Sequence, residues 1–470
     1  MTPFEYVGQW WLPESPEAGC YGTLRFDGTN SPELRLTGSL RPLARGFGGG
    51  ESFTPDIILG FTENGKAVTL YQCHETHTGF SFPGTPTSTY IATFAIVGHH
   101  FPAKDKVRFE KFWIRYDRLV EWTQLTGFTH QLDMDENSLR GITVDWHAPA
   151  PYEVNVAGWQ AKFTHWVHRE GDRLEHYNLE HQVRLEVQPP EPKSIEGFHS
   201  EFANHYRNFV TLGLGKPVYT SHLEAVPVPD ADNADPSVPT SSIYHYSSRK
   251  QKVVGKIDEF KMLFSLRAIS ADYADCLQHW YSRTELLRPV YNLYFGTLYS
   301  EPGYVETEFL ILAQALESYH RRVVGGALLG PERFGPVKEA LLSTIGREDL
   351  DITTEAREAY ERKLHYFDEP ALRRRAKEVV RSFGETAHLL IPKAASFADR
   401  LANTRNYLTH YDESLRELSA AGDDLWLLAQ QVRFVLELCF LREMGLSDER
   451  IRKMAFEHQH YLFLRSRLKL

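Results

Sequence analysis

The chain has 470 residues, a length at which two or three domains are expected. Apolar residues make up 42% and charged residues 24%, which excludes overall disorder, collagen-like repeats and a small disulfide scaffold. The net charge of −10, from 52 Lys+Arg against 62 Asp+Glu, excludes a globally basic coat for nucleic acid but leaves room for a local basic site. Residues 291–470 hold 25 basic and 27 acidic side chains, a net of −2, so the remaining −8 sits in the N-terminal part. Cys20, Cys73, Cys276 and Cys439 are far apart and form no C-x-x-C pair. A reducing compartment is therefore expected rather than a disulfide framework. The N-terminus, MTPFEYVGQWW, lacks a basic stretch followed by an apolar one. The most apolar long stretch, Leu425–Leu441, is interrupted by Gln430, Gln431, Arg433 and Glu437. No membrane span and a cytoplasmic location are expected.

The first part of the chain reads as β-structure. Thr23–Phe26, Asp56–Phe61, Val68–Tyr71, Tyr90–Val97 and Val107–Tyr116 are short, rich in β-branched and aromatic residues, and punctuated by Gly, Pro, Asn and Asp. Asn64-Gly65, inside Glu63–Lys66, predicts a hairpin between two of them. Further strands are predicted at Leu139–Trp146, Gln160–Val167 and His181–Val187. Strands at this spacing without intervening helices predict a sandwich or a barrel-like sheet. Ser194–Leu212 reads as helix, and Val226–Ser242, with four prolines and three aspartates, as an exposed loop. Strands are predicted to resume at Ser242–Tyr246 and Met262–Ile269.

From about Tyr273 the period changes. Phe309, Leu312, Ala313 and Leu316 follow the i, i+3, i+4, i+7 series of a helix packing on a core. Helices are predicted at Gly335–Ile345, Thr354–Phe367, Ala371–Phe383, Phe397–Leu418 and Asp424–Glu443. The fold class is thus α+β and multidomain, with a β-rich sandwich or barrel-like region over 1–270 and an all-helical bundle over 271–470.

Several clusters bear on chemistry. Cys73, His74 and His77 give C-H-x-x-H, and His165 with His168 gives H-x-x-H. A zinc site needs three or four ligands, and no second pair stands at a finger-like spacing, so packed or surface histidines are expected and no metal. Gly46–Gly50 and Gly213-Leu214-Gly215-Lys216 lack the full pattern of a phosphate loop or a dinucleotide site, so flexible turns are expected there and no cofactor. Arg373, Arg374, Arg375, Lys377 and Arg381 crowd one helix, with Arg373, Lys377 and Arg381 at i, i+4, i+8. A phosphate backbone could lie along that stripe, or the stripe could be a solvated face paired with acids.

Ser396–Leu418, SFADRLANTRNYLTHYDESLREL, carries the most. Ser396 with Asp399 predicts the helix start. At about 100° per residue, Phe397, Leu401, Leu408 and Leu415 share one stripe, toward the core. Asn406 and His410, one turn apart, fall near the opposite pole, and Arg405 falls at the flank.

Arg405-Asn406-Tyr407-Leu408-Thr409-His410 is R-N-x-x-x-H, one form of the R-x(4–6)-H pattern. It resembles the HEPN superfamily, whose members are α-helical, usually dimeric, and in many cases metal-independent ribonucleases. Glu308–Arg322 is similar to the first long helix of such domains. A β-rich region ahead of a HEPN domain resembles ApeA-type anti-phage proteins, a likeness over essentially the whole chain. The resemblance implies Arg405 and His410 as the catalytic pair, Asn406 as the polar residue beside the Arg, and Glu317 as a supporting acid. It also implies an RNA endonuclease, acting on transfer RNA or another RNA, dimeric through the HEPN domain. Such an enzyme would act in abortive infection under an N-terminal region that senses a phage-derived trigger or restrains the nuclease. Arg373, Arg374, Lys377 and Arg381, and the tail residues Arg465, Arg467 and Lys469, are the candidate RNA contacts. The alternative is a non-catalytic HEPN-like protein that binds nucleotides or partners, with a β-sandwich ligand module.

Overall fold

The computed structural model describes residues 1–41, 52–79, 84–136, 138–172, 174–229, 240–246, 255–301 and 303–470. The glycine run 46–50 and the middle of the proline-rich segment, 230–239, lie outside the described residues. The chain forms two compact units, Met1–Ala274 and Asp275–Leu470.

The first unit contains strands β1 (Phe4–Leu12), β2 (Ser15–Phe26), β3 (Glu33–Thr37), β4 (Ile57–Thr62), β5 (Ala67–Gly79), β6 (Thr87–Val97) and β7 (Phe109–Tyr116). It continues with β8 (Phe128–Asp135), β9 (Ser138–Trp146), β10 (Glu153–Val156), β11 (Trp159–Gly171), β12 (Tyr177–Gln188), β13 (Thr220–Pro227) and β14 (Ser241–His245). Helices α1 (Leu119–Thr123), α2 (Ile195–Phe198) and α3 (Asn204–Leu214) complete it. Neighbours run in the order β6-β3-β2-β1-β4-β5, and β5 pairs back to β6, so six strands close into a barrel. Of the two architectures the sequence allows, this part is the barrel.

Closure depends on β6 pairing with both β5 and β3. One of its edges lies along β5. The other is divided between β3, at residues 87–91, and β14, at residues 94–97. From β14 the sheet continues through β13, β7, β12, β11 and β10. Trp10, Leu24, Leu34, Ile58, Val68, Leu70 and Tyr90 point inward and are fully buried, the period-two alternation of strands with one dry face. The expected hairpin joins β4 to β5: Gly65 takes φ +73°, and the Thr62 N–H donates to the Lys66 carbonyl at 3.0 Å.

The segment expected as one helix, Ser194–Leu212, is α2, a π-helical turn (His199–Ala203) and α3 in succession. Its aromatic side lies on the extended sheet, with Phe198 stacked on Phe112 at 4.0 Å and the Tyr116 hydroxyl donating to the Ala203 carbonyl at 2.8 Å. Met262–Ile269 is a correction: it forms turns, not a strand. Its large apolar residues, Met262, Leu263, Phe264, Leu266 and Ile269, are buried, but its N–H groups reach single carbonyls, Leu263 and Phe264 to Gly213 and Leu266 to Trp122, instead of a ladder. Burial alone produced the strand-like composition.

The second unit follows α4 (Tyr273–Ser282), which spans the division, with α5 (Thr284–Tyr299), α6 (Val305–Tyr319), α7 (Pro331–Ile345), α8 (Thr354–Leu364) and α9 (Leu372–Ser382). Then come α10 (Glu385–His388), α11 (Ala394–His410), α12 (Gly422–Glu443), α13 (Asp448–Glu457) and α14 (Gln459–Arg467). α12 is buried on nearly every face, so it is the axis of the bundle. Its two buried acids accept from tyrosine hydroxyls. Glu437 accepts from the hydroxyls of Tyr294 and Tyr461, and Glu443 accepts from Tyr319 at 2.9 Å. α6 packs between α12 and α5, and α11 packs against α9 and α6. No helix among the described residues is long and apolar enough to cross a membrane.

Candidate functional site

The site is built where α11 crosses α6. α11 buries Phe397, Ala398, Leu401, Ala402 and Thr404, and the Thr404 hydroxyl accepts from the Ala420 N–H at 2.9 Å. Three details differ from the sequence reading. The helix starts at Ala394 behind Lys393, and Ser396 lies within it rather than capping it. Asp399, the partner expected for Ser396, pairs with Arg373 at 2.9 Å instead. The helix also ends at His410, because Tyr411 takes a left-handed conformation at φ 52° and Asp412 accepts the Ser414 N–H to open a 3-10 turn over Glu413–Leu418. Leu415 therefore belongs to that turn and not to the core stripe, and Leu408 is only half-buried.

Arg405 and Thr409 share one face of α11, and with α6 they line an open cleft of about 430 Å³. Leu310, Gln314, Glu317, Ser318 and Arg321 form the opposite wall. A guanidinium nitrogen of Arg405 stands 3.5 Å from Glu317 Oε2. Glu317 Oε1 is 3.6 Å from Arg321, and Arg321 pairs with Glu369 at 2.9 Å. The sequence reading named Glu317 but missed Arg321, Gln314, Ser318 and Thr409. The signal was present: residues 310, 314, 317, 318 and 321 fall on one helical face, beside the apolar series 309, 312, 313 and 316.

Asn406 and His410 stand on the neighbouring face of α11, about 100° further round the helix. His410 is exposed, Asn406 is half-buried, and neither has a hydrogen-bond partner among the described residues. Within one chain, then, Arg405 and Glu317 are brought together, while Asn406 and His410 are presented beside the cleft and outside its lining. Asp412, just past the helix end, is held below the usual carboxylate range, first by the Ser414 hydroxyl and N–H and then by His410.

The basic helix α9 divides in two. Arg375 does not belong to an exposed row. It is buried, and it donates to the Pro370 carbonyl at 2.7 Å, to Glu369 at 3.0 Å and to His320 Nδ1 at 3.2 Å. That bond leaves His320 Nε2–H to donate to Glu378 at 2.8 Å. Arg374 is paired with Glu378, and Arg373 with Asp399 and Asn403. Lys377 and Arg381 have no ion pair among the described residues. In the tail Arg467 pairs with Asp423 at 3.3 Å.

The histidine pairs do not assemble as spaced in the sequence. On a strand, neighbours and residues three apart face opposite sides. Cys73 is buried, with its thiol pushed up by burial, whereas His74 and His77 are exposed. His165 meets His181 at 3.1 Å rather than His168, and burial followed by His181 lowers it to about 4. No group of three or more His, Cys, Asp or Glu side chains set to hold a metal occurs among the described residues. Gly213-Leu214-Gly215-Lys216 is a helix end, not an anion-binding start: Gly215 closes α3 at φ +64°, and Gly213 lies so close to Trp122 that an added Cβ would stand 2.5 Å from its indole nitrogen.

The family model for ApeA N-terminal domain 1 matches residues 5–280, and the model for Apea-like HEPN matches residues 310–450. The first covers more than half of the chain, and the second contains the whole α6–α11 cleft. No curated protein and no solved structure gives a significant match.

Proposed function

The chain belongs to the ApeA N-terminal domain 1 family and carries an Apea-like HEPN domain behind it, and on that premise we propose that it is an RNA endonuclease of anti-phage defence. Its catalytic residues are Arg405, Asn406 and His410. The carrying observation is that Arg405 lines a polar cleft while His410, five residues further along, stands exposed and without a hydrogen-bond partner among the described residues at the end of the same helix.

RNA brings its own nucleophile, the 2′-hydroxyl beside each phosphate. The protein has to move two protons and hold the charge that builds on the phosphorane. Imidazole is the side chain best suited to accept and donate a proton around neutral pH, so His410 serves as base or acid. Arg405 offers planar, permanently charged donors to the non-bridging oxygens. Asn406 orients the phosphate or the imidazole. One chain supplies a single such histidine, and a homodimer through the HEPN domain supplies the second, one for each proton transfer. The products are a 2′,3′-cyclic phosphate and a 5′-hydroxyl, and the chemistry needs no metal or cofactor. The N-terminal region, residues 1–270, senses a phage-derived trigger or restrains the nuclease, since an uncontrolled ribonuclease would damage its host. Transfer RNA is the first substrate to test.

The test is cleavage of bulk transfer RNA by the purified full-length protein in EDTA, with the ends mapped. Cyclic-phosphate ends are expected, and a 2′-deoxy substitution at the cut position should block the cut. If activity appears only after infected-cell lysate is added, the enzyme is a triggered one. Silence in both conditions would favour the non-catalytic binder.

The basic stripe gives a second expected result. Lys377→Glu and Arg381→Glu should each weaken RNA binding, and each should lower the slope of log K against log salt by roughly one phosphate contact. Arg374→Glu should do less, because Glu378 already neutralises Arg374. Equal binding across a salt series for all three would remove the stripe from the RNA path.

A further inference from the structure

The α6 wall of the cleft carries a charge arrangement that a simple supporting role for Glu317 does not explain. Its carboxylate lies between two guanidiniums at 3.5 Å from Arg405 and 3.6 Å from Arg321. Charge-assisted N–H···O bonds close to about 2.7–2.9 Å when the geometry is made for them. Such pairs exist close by in the same unit, Arg321–Glu369 at 2.9 Å and Arg433–Glu308 at 2.8 Å. Glu317 therefore sits loosely between two arginines that an anion with three oxygens could bridge more tightly. The rest of the polar lining, Gln314, Ser318 and Thr409, is neutral, with the Thr409 hydroxyl donating to the Arg405 carbonyl at 2.7 Å, and Glu317 is the sole acid among the lining residues. Arg321 does not depend on Glu317 for its position. Glu369 holds it, and Glu369 is in turn held by the buried Arg375.

Building on the ribonuclease reading, we propose that Glu317 is a resident anion in the phosphate position of the cleft, shared by Arg405 and Arg321, and that a phosphate of the RNA displaces it. Arg321 is then a second phosphate-binding arginine of the site. Glu317 lowers the resting affinity for RNA, because a carboxylate must leave and its charge repels the incoming backbone. A positioning brace would have the opposite signature: its removal would loosen Arg405 and weaken RNA binding.

The sign of one substitution separates the two. Fluorescently labelled transfer RNA is titrated with full-length protein carrying His410→Ala, alone and with Glu317→Gln, Arg321→Ala or Arg321→Lys added. Glu317→Gln keeps the shape and removes the charge. It should tighten binding by about threefold to tenfold, the scale of one exposed charge, and steepen the salt dependence by roughly one contact. Arg321→Ala should weaken binding by about tenfold, with most of it restored in Arg321→Lys. Thermal melts identify a variant that has lost its fold, and Glu317→Gln, at a half-exposed position, is the decisive one. Weaker or unchanged binding in Glu317→Gln overturns the proposal. Binding and cleavage fail separately: if the wild type cuts no RNA, the nuclease reading falls, while the sign of the Glu317→Gln effect still decides what the carboxylate does.

Discussion

Replacing His410 with alanine is expected to lower RNA cleavage by about 10²–10⁴-fold, the contribution of a positioned general acid or base. The fold should not notice. His410 is exposed at the last residue of α11 and has no hydrogen-bond partner among the described residues, and changes at such surface positions usually stay within about 0.5 kcal/mol. His410→Gln sharpens the argument, because it keeps a hydrogen-bonding side chain of similar reach and removes the ability to transfer a proton at neutral pH. Both variants should therefore be inactive while binding RNA as the wild type does. Arg405→Lys should lie between wild type and null: it keeps the positive charge in the cleft but loses the two-pronged contact to phosphate oxygens. If each cut needs one histidine from each subunit, adding excess His410→Ala subunits to the wild type should lower cleavage by more than dilution accounts for, because every mixed dimer lacks one of the two histidines. Cleavage by His410→Ala at near the wild-type rate, with an unchanged melting temperature, would sink the assignment.

How much of this was readable from the sequence depended on how local the determinant was. The β4–β5 hairpin was readable because Asn64-Gly65 specifies its own turn. The change of period near 273 was readable because a buried helix face repeats within one or two turns. Barrel closure was not, since it rests on β6 pairing with β3, about 50 residues earlier in the chain, and the extension of the sheet through β14, about 150 residues after β6, carries no local mark either. In the site, the R-N-x-x-x-H spacing set Arg405 apart from Asn406 and His410 on α11, and the end of the helix was misplaced because Tyr411 carries the left-handed turn that glycine usually signals. Arg375 looked like one more exposed arginine because its partners, His320 and Glu369, come from other segments. Arg321 was overlooked because its importance depends on Arg405, 84 residues further on, being across the cleft.

Substituting Gly60 with valine should be among the most damaging single changes in the β-rich unit. β4 passes directly over the Trp10 ring there, and a Cβ on Gly60 would stand 2.3–2.8 Å from three ring carbons. Trp10 cannot give way, being fully buried, with its indole N–H donating to the Gly22 carbonyl at 3.2 Å. The strands cannot spread either, because β1 pairs with β2 on one edge and β4 on the other, and the barrel is closed. Overpacking typically costs about 1–3 kcal/mol, and a rigid ring trapped in a closed barrel puts this site at or above the top of that range. Trp10→Ala should cost a similar amount, about 3–5 kcal/mol, through the cavity it leaves. The two changes occupy the same space, so their combination is the informative variant: Gly60→Val with Trp10→Ala should be more stable than the sum of the single losses by at least about 1 kcal/mol. Because the chain forms two compact units, the melt should be followed by near-ultraviolet circular dichroism and by helical signal separately, rather than as one transition. Additive losses would mean that Trp10 and Gly60 are not the fixed contact described. The same variants also test the proposed control of the nuclease. A barrel that restrains the HEPN domain should release basal RNA cleavage when it is loosened, whereas one that only receives the trigger should leave the resting enzyme silent and make it deaf to infected-cell lysate.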